Sequence, residues 1–307
     1  MRTELTKSLL RLASSKKMIF LTGDLGYMAL ESLKEKLKNR FINAGVAEQN
    51  MIGVAAGMAS EGMSPWVYSI APFCYARPFE QIRNDIAFHN LPVKLIGNGG
   101  GYGYGVMGPT HHAIEDYGIL LTLPNFIIYI PCFNEDIDQI ISLANTNSSP
   151  VYIRLGYDES PKDYRPEAYK PWRLLTKGDG PIVIVAGPIA TTYIDAFQKI
   201  HKSNRPNLWL ISELPVREKL MPNALLRQLK EERVIYIIEE HVEQGGIASQ
   251  ISLLLHQLNV KVERFINFFA KAHHYKTYGS QKFLRKESGL DIMSILKVLQ
   301  KNKFNEH

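Results

Sequence analysis

The sequence predicts an α/β protein of two doubly wound domains. Three observations carry that expectation. Short apolar runs, such as Met18-Ile19-Phe20-Leu21 and Pro181-Ile182-Val183-Ile184-Val185-Ala186-Gly187, are the right length for strands buried on both faces. Segments with helical periodicity separate them, which is the alternation that builds parallel sheets. A polar interval from Tyr157 to Trp172, punctuated by Pro161, Pro166 and Pro171, divides the alternation in two. The expected organisation is a first domain over residues 1–158, a linker over 159–177 and a second domain over 178–307.

Composition sets the class. With 307 residues, 45% apolar and 21% charged, the chain has the makeup of a soluble globular protein with room for two domains. The formal charge is +6. Lys34, Lys36, Lys38 and Arg40 cluster without interleaved aromatics, so they read as a solvated face and no nucleic-acid partner is expected. Cys74 and Cys132 form no CxxC pair, which argues against a disulfide framework or a zinc site. No run approaches the ~20 apolar residues of a membrane helix, and Met1 to Lys17 reads as an amphipathic charged helix with no long apolar h-region. A cytoplasmic, reduced protein is expected.

In chain order, Leu5, Leu9, Leu10 and Leu12 mark a first helix, followed by the strand from Met18 and a turn at Thr22-Gly23-Asp24-Leu25-Gly26. A charged helix over Ala29–Lys38 leads to Phe41-Ile42-Asn43-Ala44-Gly45, a strand that breaks at glycine. The helix after it runs from Val46 through Ser60. Gly53, Ala56, Gly57 and Ser60 leave one face of that helix nearly bare. Glycine costs roughly 1 kcal/mol against alanine in a helix interior, so close approach by something is expected there. Glu48 is the one charged side chain in this apolar run. From periodicity alone it reads as an acid favoured by the helix dipole.

Resemblance changes that reading. Gly45-Val46-Ala47-Glu48-Gln49-Asn50 after a strand resembles the activating-glutamate motif of the transketolase family of thiamine diphosphate enzymes. In that family the acid hydrogen-bonds N1′ of the cofactor's aminopyrimidine and promotes its imino tautomer. Gly-Asp-Leu-Gly at 23–26 is similar to the opening of the family's pyrimidine-binding domain. Ala71-Pro72-Phe73-Cys74-Tyr75-Ala76-Arg77 resembles its ring-stacking segment. This implies that Phe73 stacks on the pyrimidine, with Tyr75 as the alternative or as a partner of the 4′-amino group. Phe79, spaced helically with Ile82, reads as core, and Arg77 and Arg83 either reach the site or tie subunits together.

The loop Asn98-Gly99-Gly100-Gly101-Tyr102-Gly103-Tyr104-Gly105 lacks the GK[ST] of a P-loop. Its continuation, Gly108-Pro109-Thr110-His111 with Ile114-Glu115-Asp116, matches the family's active-site loop. His111 is thereby implied as the catalytic, substrate-handling histidine, with His112 at a position usually held by Gln. Arg154, at the end of the strand from Val151, matches an arginine that binds acceptor phosphate in relatives; unaided it reads equally as a surface ion pair or an anion ligand. Arg233 to Glu240 is a strand of the second domain, and Glu239-Glu240-His241 before Gly245-Gly246 resembles the family's C-terminal domain. Gly178-Asp179-Gly180 imitates the start of the cofactor's diphosphate and magnesium motif but has no Asn-Asn continuation, and is read as a β-turn. His241, His273 and His274 have no sequence companions for a metal site.

The resemblance spans Thr22 to about Asp291 and omits the diphosphate-binding domain, while Met1 stands where a subunit of a split enzyme begins. It therefore implies a separate N-terminal partner chain that carries the metal ligands for Mg²⁺ with thiamine diphosphate, and an α2β2 assembly. The implied activity is transfer of a two-carbon ketol unit to an aldehyde or sugar acceptor, placing the chain among the transferases of aldehyde or ketone residues in carbohydrate metabolism. Two departures bear on substrate. The family's ketose-contacting Asp is Met107, and its acceptor-phosphate histidine, twelve residues before His111, is Gly99. They argue for a modified donor or an unusual sugar or sugar-phosphate acceptor. The alternatives are a 2-oxo acid donor, as in 1-deoxyxylulose-phosphate synthase or a dehydrogenase E1-beta subunit, and a non-catalytic regulatory subunit. A Rossmann dehydrogenase lacks its GxGxxG.

Overall fold

The computed structural model describes residues 1–26, 28–271, 273, 276 and 278–303. Among them, twelve strands form two sheets: β1 (Met18–Thr22), β2 (Phe41–Asn43), β3 (Ser64–Ile70), β4 (Lys94–Asn98), β5 (Ile127–Tyr129), β6 (Val151–Leu155), β7 (Trp172–Thr176), β8 (Ile182–Ala186), β9 (Asn207–Ile211), β10 (Glu213–Leu214), β11 (Val234–Ile238) and β12 (Arg264–Phe268). The first sheet runs β10-β5-β6-β4-β3-β1-β2 and the second β12-β11-β8-β9-β7. All pairings are parallel except the two edge pairs β10–β5 and β7–β9. This is the doubly wound α/β architecture expected from the alternating pattern.

The strands are continuous apolar runs because helices cover both faces. β1, β4, β6, β8 and β9 are buried at every position. On one face of the first sheet, α1 (Arg2–Leu12), α2 (Glu31–Leu37) and the helix Asp136–Thr146 pack Leu5, Leu9, Leu33, Ile137 and Ile141 over Phe20, Trp66 and Ile153. On the other face, α3 (Glu48–Ser60) contributes Met51, Ile52 and Ala55 to a core that runs on without a break into Ile184, Trp209 and Ile237 of the second sheet.

The linker ends earlier than the expected bound at residue 177. Trp172–Thr176, inside the expected linker, is β7 and belongs to the second sheet. From β9 the chain crosses back, and β10 adds an antiparallel edge to the first sheet. Arg173 in β7 then locks the seam: its guanidinium donates to Oδ1 (2.7 Å) and Oδ2 (2.6 Å) of Asp136, and both side chains are 1% exposed. Asp136 Oδ2 also accepts the amides of Cys132 and Phe133 at 3.0 Å.

Two glycine-bearing segments have clear physical readings. Gly178-Asp179-Gly180 is a bend against the segment 202–207, with the Asp179 and Gly180 amides donated to Lys202 O and Arg205 O. A Cβ on Gly178 would lie 2.0 Å from Arg205 O, so the motif serves chain packing. In α3 the opposite holds: a Cβ at Gly53 or Gly57 would meet nothing within 4 Å. No close approach among the described residues explains those two glycines.

Breaking a buried pair strands the remaining charge. Asp136→Ala is expected to lower the unfolding free energy by about 3–5 kcal/mol, and Asp136→Asn, which keeps the amide acceptor, by less. Urea denaturation of the purified chain measures both.

Candidate active site

The site forms at the C-terminal ends of β2, β3 and β4, where open parallel sheets place ligands. After β2, Gly45 turns with φ +69 and Asn43 Oδ1 accepts the Gly45 amide, so α3 starts at once with Glu48. Its side chain is 6% exposed. After β3, the short helix Ala71–Tyr75 brings Phe73 and then Arg77 to the same place. Arg77 Nη1 donates to both oxygens of Glu48 at 3.0 Å. The Arg77 guanidinium carbon lies 3.8 Å from the centre of the Phe73 ring. His111 meets Phe73 edge-on, with ring centres 5.1 Å apart. Four of the residues that the motifs point to thus touch in series: Glu48, Arg77, Phe73, His111.

His111 sits in a short helical turn, Pro109–His111, with Nδ1 held by Thr110 Oγ1 at 2.9 Å. Burial and the Arg77 cation hold its imidazole below the usual pKa. Tyr104 stands 6.0 Å away, and its hydroxyl accepts a bond from Asn98. Gly99 has φ +76, and a Cβ there would be 2.3 Å from the Tyr104 ring. With Tyr104 so placed, no side chain fits at the position where the family carries its histidine. Met107, in the position of the family's Asp, is 55% exposed.

The structure places three of the sequence-predicted residues elsewhere. Tyr75 is buried and its hydroxyl donates to Glu115 Oε2 at 3.2 Å, so Phe73 is the ring beside Glu48. His112 packs inside the loop, with Nε2 2.9 Å from Gly105 O and its ring against Tyr102. Arg154 is 4% exposed: Nε donates to Asp116 Oδ2 (2.8 Å), and Nη2 to Ala113 O (2.8 Å) and Glu240 O (2.9 Å). These bonds turn Arg154 into the interior, the geometry of an ion pair with Asp116. His112 is likewise buried.

Residues to which the sequence assigns no role support the loop from the second domain. Glu240 accepts the Tyr102 amide at 2.9 Å and is held by Gln281 and by Arg285 Nη2 at 2.9 Å. These donors keep its carboxyl below the usual range against burial. Glu239 accepts the Tyr117 hydroxyl and the Ile247 amide, each at 2.7 Å. The His241 ring stacks on Tyr117 at 3.9 Å, and its Nε2 lies 3.1 Å from the Gly118 amide. That amide must donate, so the ring proton sits on Nδ1, facing Val242 O. His273, expected to lack a carboxylate companion, bonds Glu115; His274 lies outside the described residues. No cluster of three or more metal-ligating side chains occurs among the described residues.

Burial pushes Glu239 up to about 7 from an ordinary 4.5. The folded chain therefore holds this proton to higher pH than the unfolded chain. The resulting stabilisation is complete below about 4.5 and is lost as pH rises through 7. His241, lowered by burial, works in the opposite direction, so the effect is read by difference. Relative to Glu239→Gln, the wild type is expected to lose on the order of 2–3 kcal/mol between pH 4.5 and 7.5, measured by urea unfolding across that range.

Comparison with known proteins gives the family and the fold. A model of the transketolase pyrimidine-binding domain matches residues 5–161. An apulose-4-phosphate transketolase subunit from Actinobacillus succinogenes is 29% identical over 265 residues, covering 85% of this chain and 84% of that protein. The 1-deoxy-D-xylulose-5-phosphate synthase of Clostridium perfringens is 27% identical over 275 residues, or 88% of this chain and 44% of that one. A solved structure described as a split gene transketolase, inactive beta4 tetramer, superposes with a TM-score of 0.81 at 25% identity, covering 98% of this chain and 96% of that chain. With the pyrimidine-domain match spanning half of the sequence and the fold agreeing from end to end, the chain belongs to the transketolase family.

Proposed function

We propose that this chain is the C-terminal subunit of a split, thiamine diphosphate-dependent transketolase-like enzyme that moves a two-carbon ketol unit onto an aldehyde or sugar acceptor. The carrying observation is the buried Glu48 carboxylate beside the Phe73 face, with His111 against the same ring. That donor set suits an aminopyrimidine: an acid to share a proton with a ring nitrogen, and an aromatic face to stack on. A partner chain is expected to hold the diphosphate and Mg²⁺. The Actinobacillus relative is named as one subunit of its transketolase, and the solved beta4 tetramer is described as inactive; both support such a partner. Large apolar side chains left in solvent after β1, β2 and β4, namely Met28, Val46, Val106 and Met107, are compatible with its docking.

When bound, the cofactor supplies the nucleophilic carbon that carries the two-carbon unit. Glu48 holds a proton at the pyrimidine's ring nitrogen, and its burial keeps water from competing for it. Phe73 fixes the ring plane. His111, with Nδ1 engaged by Thr110 and its pKa lowered, presents a neutral Nε2 for proton exchange with a substrate hydroxyl. Met107 in place of a carboxylate and Tyr104 over Gly99 favour substrates other than the pentose phosphates of a standard transketolase.

A second reading rests on Met107: without a carboxylate to receive a ketose hydroxyl, a 2-oxo acid donor that loses CO₂ is also accommodated. Reconstitution separates the two. With the partner present, tight thiamine diphosphate binding and transfer without CO₂ release are expected; stoichiometric CO₂ identifies the second reading. Glu48→Gln is expected to lower turnover by about 10²-fold or more. Full turnover in that variant leaves only the non-catalytic subunit. Full activity on xylulose and ribose phosphates would refute the substrate assignment.

A further inference from the structure

Glu48, Phe73 and Arg77 make contacts whose chemistry is specific. The Arg77 guanidinium is a planar cation with in-plane N–H donors. It bonds both oxygens of a buried carboxylate at 3.0 Å while stacking 3.8 Å over an aromatic face. These are the two contacts that the proposed cofactor ring needs, an N–H···carboxylate bond and a stacked plane. A separation of 3.8 Å is one layer thick, so a second ring cannot enter between Arg77 and Phe73. One carboxylate also cannot serve both partners in the same geometry.

We propose that Arg77 is a built-in stand-in for the aminopyrimidine, occupying its seat until the ring displaces it. The inference rests on the cofactor reading above and adds a regulatory step to it. The energetics supply the reason. A carboxylate as buried as Glu48 is costly without a counter-charge, and before cofactor arrives Arg77 provides one. Arg77 remains 44% exposed, so it can leave toward solvent without unpacking the core. The seat is thereby closed to stray planar ligands and opens only to one that replaces both contacts together. Asp116–Arg154 shows the contrasting case, a pair with both members buried and no route outward.

The test uses the full chain alone and the isolated ring, 4-amino-2-methylpyrimidine, titrated by calorimetry and by NMR shift changes. Arg77→Gln and Arg77→Ala are expected to bind it at least about tenfold more tightly than the wild type, and the added change Glu48→Ala to abolish that gain. Thermal unfolding checks that the variants are folded, the Gln variant being the milder change. Equal or weaker binding by both folded Arg77 variants overturns the stand-in role and leaves the cofactor reading intact. Tight binding that survives Glu48→Ala overturns both, because the ring then sits elsewhere. No binding by any Arg77 variant likewise overturns the proposal.

Discussion

The pairing of Asp116 with Arg154 is the constraint on which the rest of the structure depends. Asp116 begins the short helix after the histidine loop, and Arg154 lies in the middle of the first sheet, in β6. Neither reaches solvent, and the Tyr152 hydroxyl completes the set by donating to Asp116 at 2.9 Å. A buried guanidinium must spend its donors inside the protein. Arg154 does so on three segments: the helix start, the loop carbonyl of Ala113, and the carbonyl of Glu240 from the second domain. The loop bearing His111 is consequently tied to the sheet and to the neighbouring domain at one point.

This gives the second domain a physical role. Glu239, Glu240 and His241 come from the end of β11 and contact Tyr117, Tyr102 and Gly118 on either side of the Gly108–His112 segment. The loop that bears His111 is long and glycine-rich, so its backbone carries a large conformational entropy that must be restrained. Fixing Tyr102 and Gly118 from outside restrains both ends. The first domain thus carries Glu48, Phe73 and His111, and the second holds the loop that bears His111.

Much of this is legible in the sequence, and the exceptions have causes. β1, β3, β4, β6, β8 and β9 announce themselves as apolar runs between helical segments, since burial on both faces removes polar positions. β10 is two residues long and exists only because β5 offers an edge, which no local pattern records. β12 is half-exposed and carries Arg264 and Asn267. The family resemblance points to Glu48, Phe73 and His111, and the structure brings them together. The ion-pair alternative for Arg154 names no partner from sequence, because its partners lie 38, 41 and 86 positions away in the chain. His273 meets Glu115 across 158 positions, and nothing near either residue in the sequence signals that contact.

The open space beside Gly53 and Gly57 separates two quantities that are usually entangled in a subunit. Each glycine weakens α3 by roughly 1 kcal/mol relative to alanine, and among the described residues no contact requires the missing methyl. Alanine at both positions therefore hardens the solitary chain while leaving its own packing untouched. The bare helix face is a place where the stability of the chain can be raised without repacking its core.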